Sequence, residues 1–109
     1  MRVRITEYLE VDLTNEQWCC QRCGQALTGA RQSYKRGCLV AERPLAEVHP
    51  PLVEGQSFSF CPDPDYCRLL EFYCPTCGTL LENEYLPPGH PMTHDIELDI
   101  DALKTRYGV

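Results

Sequence analysis

Apolar and polar residues alternate at both ends of this chain and lose the alternation between them. Near the start, Val3, Ile5 and Leu9 or Val11 fall on one face of an extended segment, which predicts a strand over residues 2 to 11. Thr14 and Gln17 have capping-box spacing, but there is room only for a turn before the cysteines that follow. From Leu27 to Phe60 the pattern is broken by Gly29, Gly37, Pro44, Pro50, Pro51 and Gly55, and Cys38-Leu39-Val40 is the one short strand expected there. Loops of that length in a small domain usually contact or wrap something. Cys61-Pro62-Asp63-Pro64-Asp65 reads as a turn. Arg68 to Tyr73 and Thr79 to Tyr85 then predict a β-hairpin, closed off by Pro87-Pro88-Gly89. Along Asp95 to Asp101, Ile96, Leu98 and Ile100 share one face of an expected strand and the acids share a solvated face. Residues 101 to 107 predict a short helix with Asp101 as its N-cap.

Length and charge narrow the picture. A chain of 109 residues is one domain's worth, and residues 1–109 are read as a single zinc-binding domain, for reasons given by its cysteines. Asp plus Glu number 16 against 10 Lys plus Arg, and a net charge of -6 disfavours both nucleic acid and an anionic membrane as partners. No apolar run approaches the length of a membrane span, and Met1 to Glu7 lacks the apolar core of a signal peptide, so a cytoplasmic location is expected.

Eight cysteines are many for such a chain, and in a reducing compartment thiols at this density more often hold metal than each other. Two pairs have ligand spacing: Cys20-Gln21-Arg22-Cys23-Gly24 and Cys74-Pro75-Thr76-Cys77-Gly78. Two intervening residues let a tight turn aim both sulfurs at one ion, and the glycine takes the positive φ that a side chain resists. Two such knuckles complete a closed four-thiolate shell, the structural form of a zinc site. The flanks repeat as well, Trp18 and Leu27 around the first knuckle answering Phe72 and Leu81 around the second, and these side chains are expected to pack beneath each turn. The predicted fold is therefore mainly β: a small zinc-ribbon-like domain with two knuckles and long loops. Structural zinc contributes roughly 10–16 kcal/mol, and a small domain's whole stability is about 5–15 kcal/mol, so Zn2+ at Cys20, Cys23, Cys74 and Cys77 decides whether the chain folds.

The other candidates carry less. Cys38, Cys61 and Cys67, with His49 or Cys19, make a candidate second metal site, set against the simpler reading of small core thiols. The alternating acids near residue 97 lack the glycine of a calcium loop. His90 and His94 have helical ligand spacing, but Pro88, Gly89 and Pro91 oppose a helix there. Arg31, Lys35, Arg36 and Arg43 form a local basic stretch, suited either to nucleic acid or to an acidic patch on a protein partner. There is no nucleophile elbow, phosphate-binding glycine loop or dinucleotide fingerprint, and a closed thiolate shell leaves no open position for chemistry. No catalytic residue is assigned.

Longer stretches carry a resemblance. Trp18-Cys19-Cys20-Gln21-Arg22-Cys23-Gly24, Gly37-Cys38-Leu39-Val40, Phe72 to Thr79, and above all Glu84-Tyr85-Leu86-Pro87-Pro88-Gly89-His90-Pro91 running on to His94 through Ile100 together resemble the small gamma-type subunit of acetone and acetophenone carboxylases. The resemblance covers nearly the whole chain. It implies a non-catalytic zinc-binding small subunit, with a structural or assembly role, in a hetero-oligomer that carboxylates a ketone using bicarbonate and ATP through an enol phosphate and carboxyphosphate. It also implies that ATP and bicarbonate bind only on larger hydantoinase- and oxoprolinase-like subunits. It places the zinc ligands at Cys20, Cys23, Cys74 and Cys77, whereas Cys61 matches no family position. The chain is short for the acetone type, which favours the acetophenone type or a relative acting on another ketone. Two other readings stand beside it: a rubredoxin-like electron carrier, since four thiolates also suit iron, and a zinc-ribbon binding module.

Overall fold

The computed structural model describes residues 1–109. It is mainly β, as the knuckle spacing and alternation predict, with two antiparallel sheets. The first sheet has order β1-β2-β3-β4 and is built from β1 (Arg2–Arg4), β2 (Leu9–Asp12), β3 (Gln17–Cys20) and β4 (Ala26–Gly29). The second has order β5-β6-β7, from β5 (Leu39–Arg43), β6 (Arg68–Tyr73) and β7 (Leu80–Leu86). A 3-10 turn, Tyr34–Gly37, joins the sheets. A short helix α1 (Leu45–Val48) follows β5, and α2 (Ile100–Tyr107) comes near the end.

Residues 2 to 11 form a hairpin where one strand is expected. The Ile5 and Thr6 N–H groups both donate to the Leu9 carbonyl, and the Thr6 hydroxyl accepts from the Leu9 N–H. That tight turn pairs Val3 with Val11. The alternation survives the fold-back because Leu9 and Val11 still share the buried face of β2. The turn before β3 is built by Asp12, whose carboxylate accepts from the Thr14 and Asn15 N–H groups and the Asn15 side chain. Gln17 opens β3, so Thr14 and Gln17 form no capping box. The later hairpin of β6 and β7 lies within a residue of its expected bounds.

Near the end, the expected strand is absent. Ile96 and Leu98 pack against the core, as their alternation implies, but the segment has no strand partner and Ile100 opens α2. The N-cap is Asp99, which accepts from the Ala102 N–H at 3.0 Å; Asp101 lies inside the first turn.

Three buried clusters hold the chain. One joins Leu9, Trp18 and Cys20 of the first sheet to Cys74 and Leu81 of the second, with Tyr34 between them. Another gathers Val11, Leu13, Ala30 and Ile100. The third, Leu70, Phe72 and Leu86, lies within the second sheet. Trp18, Leu27 and Leu81 thus pack beneath the knuckles, while Phe72 belongs to the neighbouring cluster. Gly37 is fixed by close approach: a Cβ there would collide with the Leu27 carbonyl of β4. The molecule measures 58 × 26 × 21 Å with a radius of gyration of 17.0 Å, against about 13 Å for a compact chain of this length. No helix is long and apolar enough to cross a membrane.

Candidate metal centre

Each knuckle leads into a strand that is made to bend. The β3–β4 pairing shifts register between Trp18 and Cys19, and the β6–β7 pairing shifts between Phe72 and Tyr73, which is the same place in both repeats. The extra residue is Leu27 in one pair and Leu81 in the other, on the strand that leaves the knuckle, and such a bulge bends and twists that strand. The loop then closes with matching backbone bonds. Gly24 N–H donates to the Cys20 carbonyl and Cys20 N–H to the Gln25 carbonyl; Gly78 N–H donates to the Cys74 carbonyl and Cys74 N–H to the Thr79 carbonyl. Gly24 at φ 78° and Gly78 at φ 73° both sit in the left-handed region that favours glycine. Neither knuckle opens a helix, as a redox Cys-x-x-Cys usually does.

The Sγ atoms of Cys20, Cys23, Cys74 and Cys77 all lie within 4.8 Å of one another. Cys20 Sγ is 3.8 Å from Cys77 Sγ, and Cys23 Sγ is 3.7 Å from Cys74 Sγ. Tetrahedral coordination with metal–sulfur bonds of about 2.3 Å sets its sulfurs about 3.8 Å apart. The donor set therefore fits a tetrahedral thiolate-bound ion, and the separations are far too long for disulfides, whose bond is about 2.05 Å. Cys20 and Cys74 are buried and Cys23 and Cys77 exposed, so each knuckle offers one sulfur from the core and one from the surface.

The surroundings act unequally on these sulfurs, and only Cys77 is prepared for negative charge. Burial pushes the Cys20 thiol up to about 12, against bonds from the Cys23 and Arg22 N–H groups. At Cys77 the Thr79 hydroxyl, 3.0 Å away, and the Thr79 N–H hold the thiol down to about 6. Cys23 receives the Gln25 N–H, which lowers its thiol, but burial and the neighbouring sulfurs of Cys74 and Cys77 leave it raised. The role of Thr79 had a visible signal, a hydroxyl residue directly after the knuckle glycine, which sequence reasoning passed over.

The other candidates are not brought together. Cys38 Sγ turns back to the Tyr34 carbonyl at 3.3 Å, Cys61 Sγ to the Pro62 carbonyl at 3.3 Å and Cys67 Sγ to the Arg68 carbonyl at 3.9 Å. His49 Nε2 is 2.7 Å from the Tyr85 hydroxyl, and Cys19 Sγ contacts the Gln17 carbonyl at 3.8 Å. The only group of three or more metal-ligating side chains is the knuckle set. His90 and His94 lie in a segment with no helix. Three members of the basic stretch are held by internal carboxylates: Arg31 by Glu16 and Asp101, Lys35 by Glu84 and Asp95, and Arg43 by Glu47 and Glu71.

The family model for the acetone carboxylase gamma subunit matches residues 3–108. The chain belongs to that family. It is 59% identical over 105 residues to a protein named acetophenone carboxylase beta subunit from Aromatoleum aromaticum, a match covering 96% of this chain and 81% of that protein. It is 27% identical over 94 residues to the acetone carboxylase gamma subunit of Xanthobacter autotrophicus, covering 82% of this chain and 52% of that protein. The chain thus spans about half the length of the second relative.

In this gamma-family chain the segment from Glu84 to Ile100 has a physical task that spacing does not reveal. Lys35, 2% exposed, donates to the Thr93 carbonyl at 2.8 Å and pairs with Glu84 at 2.9 Å and Asp95 at 3.2 Å. The Tyr34 hydroxyl donates to Asp95 at 3.0 Å, and the Lys35 ammonium lies 5.0 Å from the centre of the Phe72 ring. Burial raises the Glu84 carboxyl, but bonds from Thr93 and the Lys35 charge outweigh it and hold the group below its ordinary value. The acids near residue 97 are thus not simply a solvated face: Asp95, Asp99 and Asp101 each hold a structural partner.

Proposed function

We propose that this chain is the non-catalytic, zinc-binding small subunit of an ATP-dependent ketone carboxylase. Its role is to brace and assemble the complex. The observation that carries the reading is the 59% identity to a protein named acetophenone carboxylase beta subunit, across 96% of the chain. The acetophenone type is favoured over the acetone type because identity to the second relative falls to 27%. Cys20, Cys23, Cys74 and Cys77 hold the ion, and the sulfur separations support tetrahedral coordination. Zinc supplies a cross-link there and no reaction chemistry, since four thiolates fill its shell. Because 19 of 109 residues are buried, the core is small and a metal cross-link between the sheets carries much of the stability. The ion pairs joining α2 to the turns beside the first sheet, Arg31 to Asp101 and Lys104 to Glu16, support one zinc-dependent domain over residues 1–109.

ATP, bicarbonate and the ketone belong to larger partner subunits of hydantoinase and oxoprolinase type. The test is native purification with metal analysis. The expected result is one zinc per chain, co-migration with larger subunits, and ketone-dependent ATP hydrolysis by the assembly but not by this chain alone. ATPase activity from the isolated chain overturns the reading. A red, redox-active protein migrating alone replaces it with an electron carrier, because four thiolates suit iron as well.

A further inference from the structure

Residues 49–67, between α1 and β6, form the longest stretch without strand or helix. Leu52, Val53, Phe58, Phe60 and Tyr66 on this stretch are all more than half exposed, with Phe60 at 71% and Tyr66 at 77%. Single exposed apolar residues are ordinary, whereas several large ones on one loop mark an interaction site. The Phe58 and Phe60 rings meet edge to face with centroids 5.2 Å apart, so the pair forms one apolar unit. Within the stretch the backbone makes two bonds to itself, Gln56 N–H to the Val53 carbonyl and Tyr66 N–H to the Asp63 carbonyl, which leaves most of its peptide groups open to a partner.

Charge selects among occupants. No Lys or Arg lies between Arg43 and Arg68, while Glu47, Glu54, Asp63 and Asp65 do. An acidic arm on a chain of net charge -6 is repelled by a second copy of itself and by anionic lipid. Within residues 1–109 no segment covers the five side chains.

We propose that residues 49–67 are a docking arm that seats Phe58 and Phe60 in an apolar groove, rimmed by Lys and Arg, on another subunit of the carboxylase assembly. The proposal rests on reading the chain as a subunit and adds which segment engages and what chemistry receives it.

The test uses the full chain and the remaining carboxylase subunits, with the double variant Phe58→Ser, Phe60→Ser. The variant chain is expected to keep its thermal transition and metal content, because both rings already face solvent. Its affinity for the other subunits is expected to fall about thirtyfold or more, the loss typical of an aromatic anchor pair. Asp63→Lys with Asp65→Lys is expected to slow association and flatten its salt dependence. Hydrogen exchange of the wild-type chain provides an independent readout, with new protection across residues 50–66 on assembly. Unchanged affinity and no new protection overturn the arm while leaving the subunit reading intact. Failure of the wild-type chain to assemble overturns both. A self-associated wild-type chain that the double variant separates makes a second copy the occupant and overturns the proposal.

Discussion

The two knuckles share a backbone and differ in their sulfurs. Both lead into a bulged strand, close with the same pair of hydrogen bonds and turn on a glycine of positive φ. Yet the residue after that glycine is Gln25 in the first and Thr79 in the second. Only the second brings a hydroxyl to its exposed cysteine, and Cys77 is held down to about 6 while its counterpart Cys23 is left raised. The repeat sets the geometry, and the residue just past its glycine, which the repeat leaves free, tunes the acidity.

The harshest way to break this comparison is to remove the metal. Chelation, or Cys74→Ser in the buried half of the shell, is expected to abolish the cooperative thermal transition, since roughly 10–16 kcal/mol of metal binding exceeds what a small core supplies. Circular dichroism with metal analysis checks it; a sharp transition at unchanged temperature in the zinc-free chain contradicts a structural ion. The next largest effects separate the aromatics of the repeat. Trp18→Ala and Phe72→Ala are each expected to cost about 3–5 kcal/mol by urea titration. Trp18→Ala should loosen metal affinity more than Phe72→Ala, because Trp18 shares a cluster with Cys20 and Cys74 while Phe72 does not.

Lys35→Met probes the link between the knuckles and the segment after β7. It leaves Glu84 facing Asp95 without a cation, and a loss of about 3–5 kcal/mol is expected. Acid sensitivity is expected both from this network and from the Asp12 turn before β3. The Glu84 and Asp12 carboxyls are held below their ordinary values. Their contribution is complete above the unfolded carboxylate range, about pH 4, and is lost as pH falls through their lower folded values. A urea midpoint that stays flat from pH 6 to pH 3 counts against it. The smallest effect is the most specific: Thr79→Val, which takes away the hydroxyl 3.0 Å from Cys77 Sγ, is expected to lower metal affinity about tenfold, read as the competition profile of the folded, zinc-loaded chain against a chelator. Gln25→Ala in the first knuckle should leave that profile in place.

What was legible in the sequence was whatever repeats or alternates locally. The knuckles, the β6–β7 hairpin and the buried faces of Leu9, Val11, Ile96 and Leu98 all follow from spacing. What was hidden depends on residues distant in the chain. Alternation tells which face is buried but not whether a ladder partner is present, so the segment before α2 reads as a strand and packs on the core without joining a sheet. The N-cap was displaced by two residues because Ile100 is buried at the start of α2, which leaves Asp99 outside the helix to cap it. The partners of Lys35 come from β7 and from beyond it, and no periodicity connects them. Cys38, Cys61 and Cys67 looked like ligands by residue type alone, and the fold points them at different carbonyls.

The crosswise pairing of sulfurs also sets a clock. Cys20 meets Cys77 57 residues later, which at ribosomal speeds of roughly 5–20 residues per second is a wait of about 3–11 s. Lys104, which holds Glu16, arrives later still. Throughout synthesis the first two thiols are therefore bare and the first sheet lacks its cover. An ion held by all four sulfurs can be loaded only after the second knuckle has been made, and until then the first pair of thiols is open to oxidation.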